Sequence, residues 1–168
     1  MSTRTLLLMR HAKSDYPDGV ADHDRPLAPR GIREAALAGD WIRAHAPTVD
    51  AVLCSTAVRT RQTLERTGID APVEYAERIY DATPGTLIAE INGVEPRFDQ
   101  APDTVLVIGH EPAMSAVALG LSDGANADAA ERISLKFPTS SIVVLRTHGP
   151  WDQLALGSAE LVTFHVPR

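Results

Sequence analysis

The sequence contains a single cysteine, Cys54, so no disulfide can close within the chain and an oxidising compartment is not required. The expected location is the cytoplasm. No apolar run approaches the roughly 20 residues that span a bilayer. The N-terminal run, Met1 to Met9, stops at Arg10-His11 without a small-residue cleavage site and is too short for a signal peptide. A membrane partner is therefore not expected. Basic charge is in deficit too: 16 Lys+Arg stand against 22 Asp+Glu, a formal net charge of -6. That balance disfavours a protein whose affinity rests on wrapping nucleic acid phosphates. Internal repeats and low-complexity tracts are missing as well. What remains is 168 residues, 44% hydrophobic and 23% charged, which reads as one globular domain over residues 1–168, expected as a monomer.

Lysine is scarce, since 14 of the 16 basic residues are arginine. The planar fork of arginine suits bidentate phosphate binding, so the positions of these residues matter more than their number. Four near-continuous apolar runs, residues 5–9 (TLLLM), 51–54 (AVLC), 104–108 (TVLVI) and 141–146 (SIVVLR), have the pattern of strands buried on both faces of a parallel sheet. Between them, residues 31–46 place Ile32, Ala35, Ala36, Gly39, Ile42 and Ala46 on one helical stripe that Pro47 stops. Residues 57–66 and 83–91 are shorter helix candidates. Residues 112–121 put Met114, Val117, Ala118 and Leu121 on one face behind Pro112, a residue suited to a first helical turn. Residues 160–166 alternate as a strand with one less buried face. The expected fold class is α/β, a three-layer sandwich on a largely parallel central sheet. Segments 15–29, 94–103 and 122–130, rich in Pro, Gly and Asp, read as loops over the top of that sheet.

Open parallel sheets bind ligands beyond the carboxyl ends of their strands, where strand order reverses. Arg10-His11 follows the first apolar run, Ser55 through Arg59 the second, and Gly109-His110-Glu111 the third. Two histidines and two arginines thus converge on one edge of the expected sheet.

These residues carry a resemblance. Leu8-Met9-Arg10-His11-Ala12 is similar to the signature of the histidine phosphatase superfamily, the phosphoglycerate-mutase-like enzymes. Ser55-Thr56-Ala57-Val58-Arg59-Thr60-Arg61-Gln62-Thr63 resembles the family's Ser-Pro-x-x-Arg-Ala-x-Gln-Thr segment, and Val107-Ile108-Gly109-His110-Glu111-Pro112 its second-histidine segment. Asp24-Arg25-Pro26-Leu27 with Arg30-Gly31 is similar to the corresponding stretch of the short SixA-type phosphohistidine phosphatases. The order and spacing of the four segments, and a chain without the insertions of the larger mutases, favour the SixA-like branch.

The resemblance implies a phosphatase that works through a phosphohistidine enzyme intermediate. His11 would be the nucleophile, since a neutral imidazole exists near neutral pH. Arg10, Arg59 and a protonated His110 would surround the phosphoryl oxygens, with Arg59 also near a helix start that favours anions. These cations supply the countercharge, so neither metal nor cofactor is expected. Ala12 stands where glycine is commoner, Thr56 where proline is usual, and Thr60 where alanine is usual. For a general acid, Asp81 and Glu111 are the candidates, each with an exposed loop acid as its alternative reading. Weak dependence on an acid suits a phosphoramidate, so the expected partner is a protein phosphohistidine, with a small phosphorylated substrate as the alternative. Lys13 and Ser14 are candidates for the pocket mouth, Arg25 for bracing the loop, and Arg61 for the surface, while His23, His45, His148 and His165 stay unassigned.

Other classes fail on spacing. A cysteine phosphatase needs an arginine six positions beyond its thiolate, and from Cys54 that position is Thr60. His110-Glu111 is not completed to H-E-x-x-H, and no G-x-x-x-x-G-K-[ST] loop occurs. A non-catalytic phospholigand-binding module on the same fold is the remaining alternative, and has no need of an intact nucleophile.

Overall fold

Leu6 and Leu8 bury their side chains on one side of a strand, and Leu7 and Met9 on the other, as a period of two requires. Each such side chain gains about 1.5–3 kcal/mol on leaving water. That exceeds its rotamer entropy of about 0.5–1 kcal/mol, so a strand of this kind is stable only when both faces are covered. The computed structural model describes residues 3–168; Met1 and Ser2, the start of the N-terminal run, lie outside the described residues. Its strands are β1 (Arg4–Arg10), β2 (Ala51–Ser55), β3 (Val73–Ala76), β4 (Thr104–Gly109), β5 (Ile142–Thr147) and β6 (Glu160–His165). They form one sheet in the order β3-β2-β4-β1-β5-β6. Pairs β1–β4, β2–β4 and β2–β3 are parallel, whereas β5 runs antiparallel to both β1 and β6. The expected largely parallel α/β sandwich is the fold observed.

Among the described residues six α-helices cover the sheet: α1 (Pro29–His45), α2 (Val58–Thr67), α3 (Glu77–Tyr80), α4 (Pro84–Asn92), α5 (Ala113–Leu121) and α6 (Ala127–Leu135). Helices α1 and α2 pack Ala38, Ile42 and Leu64 on Leu7, Met9, Val52 and Ile108. The other four bring Ile79, Leu87, Ile91, Met114, Val117 and Ile133 onto the face of Leu6, Leu8, Leu53 and Val107. Among the described residues no helix is long and apolar enough to cross a membrane.

Three expectations need correction. Residues 122–130 are not all loop, because α6 begins at Ala127, where the Asn126 side chain accepts the Ala129 N–H at 3.1 Å as an N-cap. Strand β3 and helix α3 were not anticipated; each has four residues, too few for periodicity to register. Of the three segments placed over the top, only 15–29 lies at the carboxyl ends of the strands. Segment 94–103 feeds the amino end of β4, with the Asp103 carbonyl accepting the Thr5 N–H at 2.8 Å. The start of segment 122–130 lies at the same end, where the Asp123 N–H bonds to the Ala159 carbonyl just ahead of β6.

Two glycines allow backbones to touch. A Cβ on Gly31 would lie 2.1 Å from the Lys13 carbonyl oxygen, and one on Gly39 would lie 2.0 Å from that of Thr67. Gly31 thereby seats the loop after β1 on the first turn of α1, and Gly39 sets the crossing of α1 over α2. The obstacle is backbone in both cases, so Gly39→Ala is expected to destabilise by about 1–3 kcal/mol despite its better helix propensity. A lowered urea midpoint checks this; an unchanged midpoint refutes the close approach.

Candidate active site

Four residues expected at the strand ends meet beyond the carboxyl ends of β1, β2 and β4. His11 continues the β1–β4 ladder, donating its N–H to the Gly109 carbonyl at 3.0 Å, and His110 follows Gly109 directly. The two imidazole rings lie 5.2 Å apart between centroids. On the other side of β1, the Ser140 N–H bonds to the carbonyls of Arg10 and His11 at 3.2 and 3.1 Å. Ser140 has a positive φ of 68°, a conformation rare for a side-chain-bearing residue, and in it the N–H is shared between those two carbonyls.

The tautomer of His11 follows from its partner. Nδ1 lies 2.8 Å from the Ala12 carbonyl oxygen, which can only accept, so Nδ1 carries the hydrogen and Nε2 keeps its lone pair. Burial pushes the His11 pKa down to about 4; the Ala12 bond opposes this, while the charges of Arg59, Arg10 and Arg25 add to it. The result is a buried, neutral imidazole with its lone pair fixed on Nε2. Ala12 does not have a positive φ, so a side chain costs little at the position where glycine is commoner. Its N–H donates to Thr63 Oγ1 at 2.9 Å, and Thr63 donates to the Arg59 carbonyl at 2.7 Å, which ties the nucleophile loop to α2.

His110 differs from expectation. Burial, with the neighbouring His11, Arg59 and Arg10, pushes its pKa down to about 3, so the ring is neutral at pH 7 rather than protonated. It still provides a donor. Nε2 lies 2.8 Å from Ser55 Oγ, which receives the Ala57 N–H at 3.2 Å and has no other acceptor for its own hydrogen among the described residues; that buried hydrogen is satisfied when it goes to Nε2, which places the hydrogen of neutral His110 on Nδ1. Thr60 supports the same turn by donating to the Ser55 carbonyl at 2.9 Å. His110 Nδ1, Arg10 Nε and Arg59 Nε are buried without a hydrogen-bond partner among the described residues. An unmet buried donor costs about 1–3 kcal/mol, and an anion with several oxygens satisfies such a set.

Arg59, the second residue of α2, is buried and gripped by the 15–29 loop: Nη1 donates to the Asp22 carbonyl at 2.7 Å and Nη2 to Asp22 Oδ2 at 3.1 Å. Arg10 Nη1 donates to the Phe137 carbonyl at 2.9 Å. Asp22 also accepts the Tyr80 hydroxyl on Oδ2 and Arg25 Nε on Oδ1 at 3.1 Å. The Tyr80 bond is the largest cause holding the Asp22 carboxyl down at about 2, with the adjacent Arg59 and Arg25 contributing. Tyr80 stands edge-on to His110 at 5.4 Å and to His23 at 4.8 Å, and its own pKa is raised by the Asp22 bond. Arg25 Nη1 donates to the buried Ser14 hydroxyl at 2.7 Å, bracing the loop.

The structure does not bring Asp81 into this cluster. Asp81 is exposed at the end of α3 and makes no hydrogen bond or ion pair among the described residues; its neighbour Tyr80 faces the site instead. Glu111 follows His110 directly and its charge acts on Arg10; it accepts the Ser115 N–H on one oxygen and the Ser115 hydroxyl on the other, at 2.7 Å each. Lys13 lies over the exposed Tyr16 ring, Arg61 is exposed, and Cys54 is buried with its thiol pushed up to about 12. His23 bonds Thr56 Oγ1 at 3.0 Å, His45 and His165 flank Trp41, and His148 lies 3.4 Å from Thr3 Oγ1. Sequence reading missed Asp22 and Tyr80, whose contacts with each other and with Arg59 span 58 and 37 positions. A cavity of about 540 Å³ beside Asp50, Arg97 and Phe98 opens at the other end of the sheet, away from these residues.

A neutral imidazole with a free lone pair, flanked by two guanidiniums on the switch edge of a parallel sheet, is an arrangement suited to nucleophilic chemistry on an anionic group. The model of the histidine phosphatase superfamily (branch 1) matches residues 6–89, half of the chain. An uncharacterised protein of Mycobacterium tuberculosis is 64% identical over 162 residues, covering 95% of this chain and 100% of that protein. A solved structure from Nakamurella multipartitia, assigned as a phosphohistidine phosphatase SixA, is 40% identical with a TM-score of 0.89, over 99% of this chain and 98% of that one. The phosphohistidine phosphatase SixA of Escherichia coli is 28% identical over 122 residues, 71% of this chain and 74% of that protein. The chain belongs to the histidine phosphatase superfamily, and its SixA-like neighbours support a phosphatase enzyme.

Holding two histidines neutral links the site to stability. Their folded pKa values, about 4 and about 3, lie below the 6.5 of an unperturbed imidazole. As pH falls from 6.5 towards these values, the unfolded chain binds protons that the native chain does not. The contribution is therefore complete above pH 6.5 and lost on acidification. A non-titrating His11→Gln protein is expected to lose less stability than the wild type between about pH 7.5 and about pH 4.5, as read by urea unfolding. Equal losses would show that His11 is not held neutral.

Proposed function

We infer that the chain hydrolyses phosphohistidine in a protein, through a phosphorylated His11 and without a metal. The observation that carries this reading is the Nδ1–H bond of His11 to the Ala12 carbonyl, which leaves Nε2 neutral and free beside three unmet buried donors. Nε2 attacks phosphorus in line; Arg10, Arg59 and the Nδ1–H of His110 take the equatorial oxygens, where charge builds in the transition state. The Ala12 carbonyl then stabilises the phosphorylated, positively charged ring, and water displaces neutral His11 from phosphorus. Two guanidiniums supply the countercharge. The phosphohistidine substrate is supported by similarity to the SixA proteins and by the exposed placement of Asp81, which has no hydrogen bond or ion pair with Arg10, His11, Arg59 or His110 among the described residues. The unpaired, buried thiol of Cys54 fits a reducing cytoplasm.

His11→Ala is expected to abolish turnover, and Arg59→Ala to lower it about 10²–10³-fold, as for loss of one transition-state donor. Substrate labelled in the phosphoryl group should leave acid-labile label on wild-type protein and none on His11→Ala. Peptides of one sequence carrying phosphohistidine or phosphoserine decide the substrate: faster hydrolysis of phosphoserine sinks the phosphohistidine reading.

A further inference from the structure

Asp22 occupies a position in this site that its grip on Arg59 does not exhaust. Its side chain is 57% exposed, whereas that of Arg59 beneath it is 7% exposed and His11 is 7% exposed, so Asp22 stands at the mouth and the nucleophile at the floor. In-line displacement puts nucleophile and leaving group on opposite sides of phosphorus. With His11 below, the leaving group exits through the mouth, beside Asp22. A carboxylate offers about four acceptor positions. Three are taken, by Arg59 Nη2 and the Tyr80 hydroxyl on Oδ2 and by Arg25 Nε on Oδ1, which leaves one on Oδ1.

We propose that Asp22 is the leaving-group residue, its carboxylate accepting the ring N–H of a protonated phosphohistidine, so that the site selects an imidazolium over an ester as the group to be displaced. The proposal rests on the phosphatase reading above and narrows its substrate to one protonation form. The step balances without a proton donor. The His11 Nε2 lone pair forms the new P–N bond, and the electron pair of the old P–N bond returns to the substrate ring. That ring already carries a hydrogen on its other nitrogen and departs as neutral imidazole. In the second step water forms the P–O bond, the P–Nε2 pair returns to His11, and a water proton passes to phosphate or solvent. The Ala12 carbonyl does for the ring of His11 what Asp22 does for the ring of the substrate. An alkoxide, by contrast, needs a proton that Asp22 does not carry, since Tyr80, Arg59 and Arg25 keep it ionised at neutral pH. Arg25 and Arg59 also offset its charge, so the phosphoryl oxygens are not driven from the pocket.

The test compares a phosphohistidine peptide with p-nitrophenyl phosphate, whose phenolate leaves without a proton. In Asp22→Asn, which keeps the shape and removes the charge, the ratio of kcat/KM for peptide over ester is expected to fall about tenfold or more, the scale of a charge-assisted hydrogen bond. Asp22→Ala should lower the ratio in the same direction. A parallel fall for both substrates, in variants with an unchanged unfolding midpoint, overturns the proposal and leaves Asp22 as a positioning residue for Arg59. An unchanged ratio overturns it as well. If the wild-type protein does not turn over the phosphohistidine peptide at all, the underlying substrate reading falls and this proposal with it, a failure visible before any variant is made.

Discussion

Desolvation of one imidazole between fixed cations is the constraint around which the rest of this molecule is arranged. A buried histidine beside guanidinium groups gives up its proton, and His11 is placed where both effects act together. Neutrality alone would leave either ring nitrogen protonated. The Ala12 carbonyl removes that ambiguity by taking Nδ1–H, so the lone pair stands on Nε2. The backbone that presents this carbonyl is held from three sides: β4 through Gly109, α2 through Thr63, and the Ser140 turn through the carbonyls of Arg10 and His11. A site built on strand ends is stiff because each strand is locked in the sheet on both edges, as β1 is by β4 and β5.

Charge is organised in a second tier. Arg10 and Arg59 carry the positive potential at the floor, and Asp22 and Tyr80 close over it from the loop and from α3. Both η nitrogens of Arg59 are engaged by Asp22 while Nε is left without a partner, so the guanidinium is oriented and still has a donor to give. This arrangement concentrates positive potential at one edge of a chain whose net charge is -6. Fields fall off within about 10 Å in salt, so a few buried cations decide the local potential whatever the distant surface carries.

Some of this was open to sequence reading. Apolar runs such as Thr5 to Met9 announce strands covered on both faces, because a continuous hydrophobic run has no exposed side to offer water. Arg10, His11, Arg59 and His110 could be nominated because each follows or nearly follows such a run, and the edge of a parallel sheet gathers what its strand ends carry. Short elements escaped: β3 and α3 have four residues each, and their existence depends on β2 and the core beneath rather than on their own pattern. Helix α6 was read as loop in its first turn because Asp and Gly dominate the residues before it, although Asn126 supplies the cap that starts it.

Composition and order therefore settled the class of fold, the strand ends and the residue types that stand there, since these follow from hydrophobic period and from the right-handed connection of parallel strands. Protonation was decided only by the folded chain. Whether His110 is charged depends on how much water and how many guanidiniums surround it, and burial makes it neutral, against the expectation of a protonated ring among the phosphoryl oxygens. The same holds for the carboxylates. Asp81 and Glu111 looked placed for chemistry by their spacing, yet Asp81 faces solvent, while Glu111 is held beside His110 by bonds from the N–H and hydroxyl of Ser115. Asp22 stands three positions before Arg25, a local spacing open to sequence reading, but its contacts with Arg59 and Tyr80 arise because a loop and two helices far apart in the chain meet there, which no local pattern encodes.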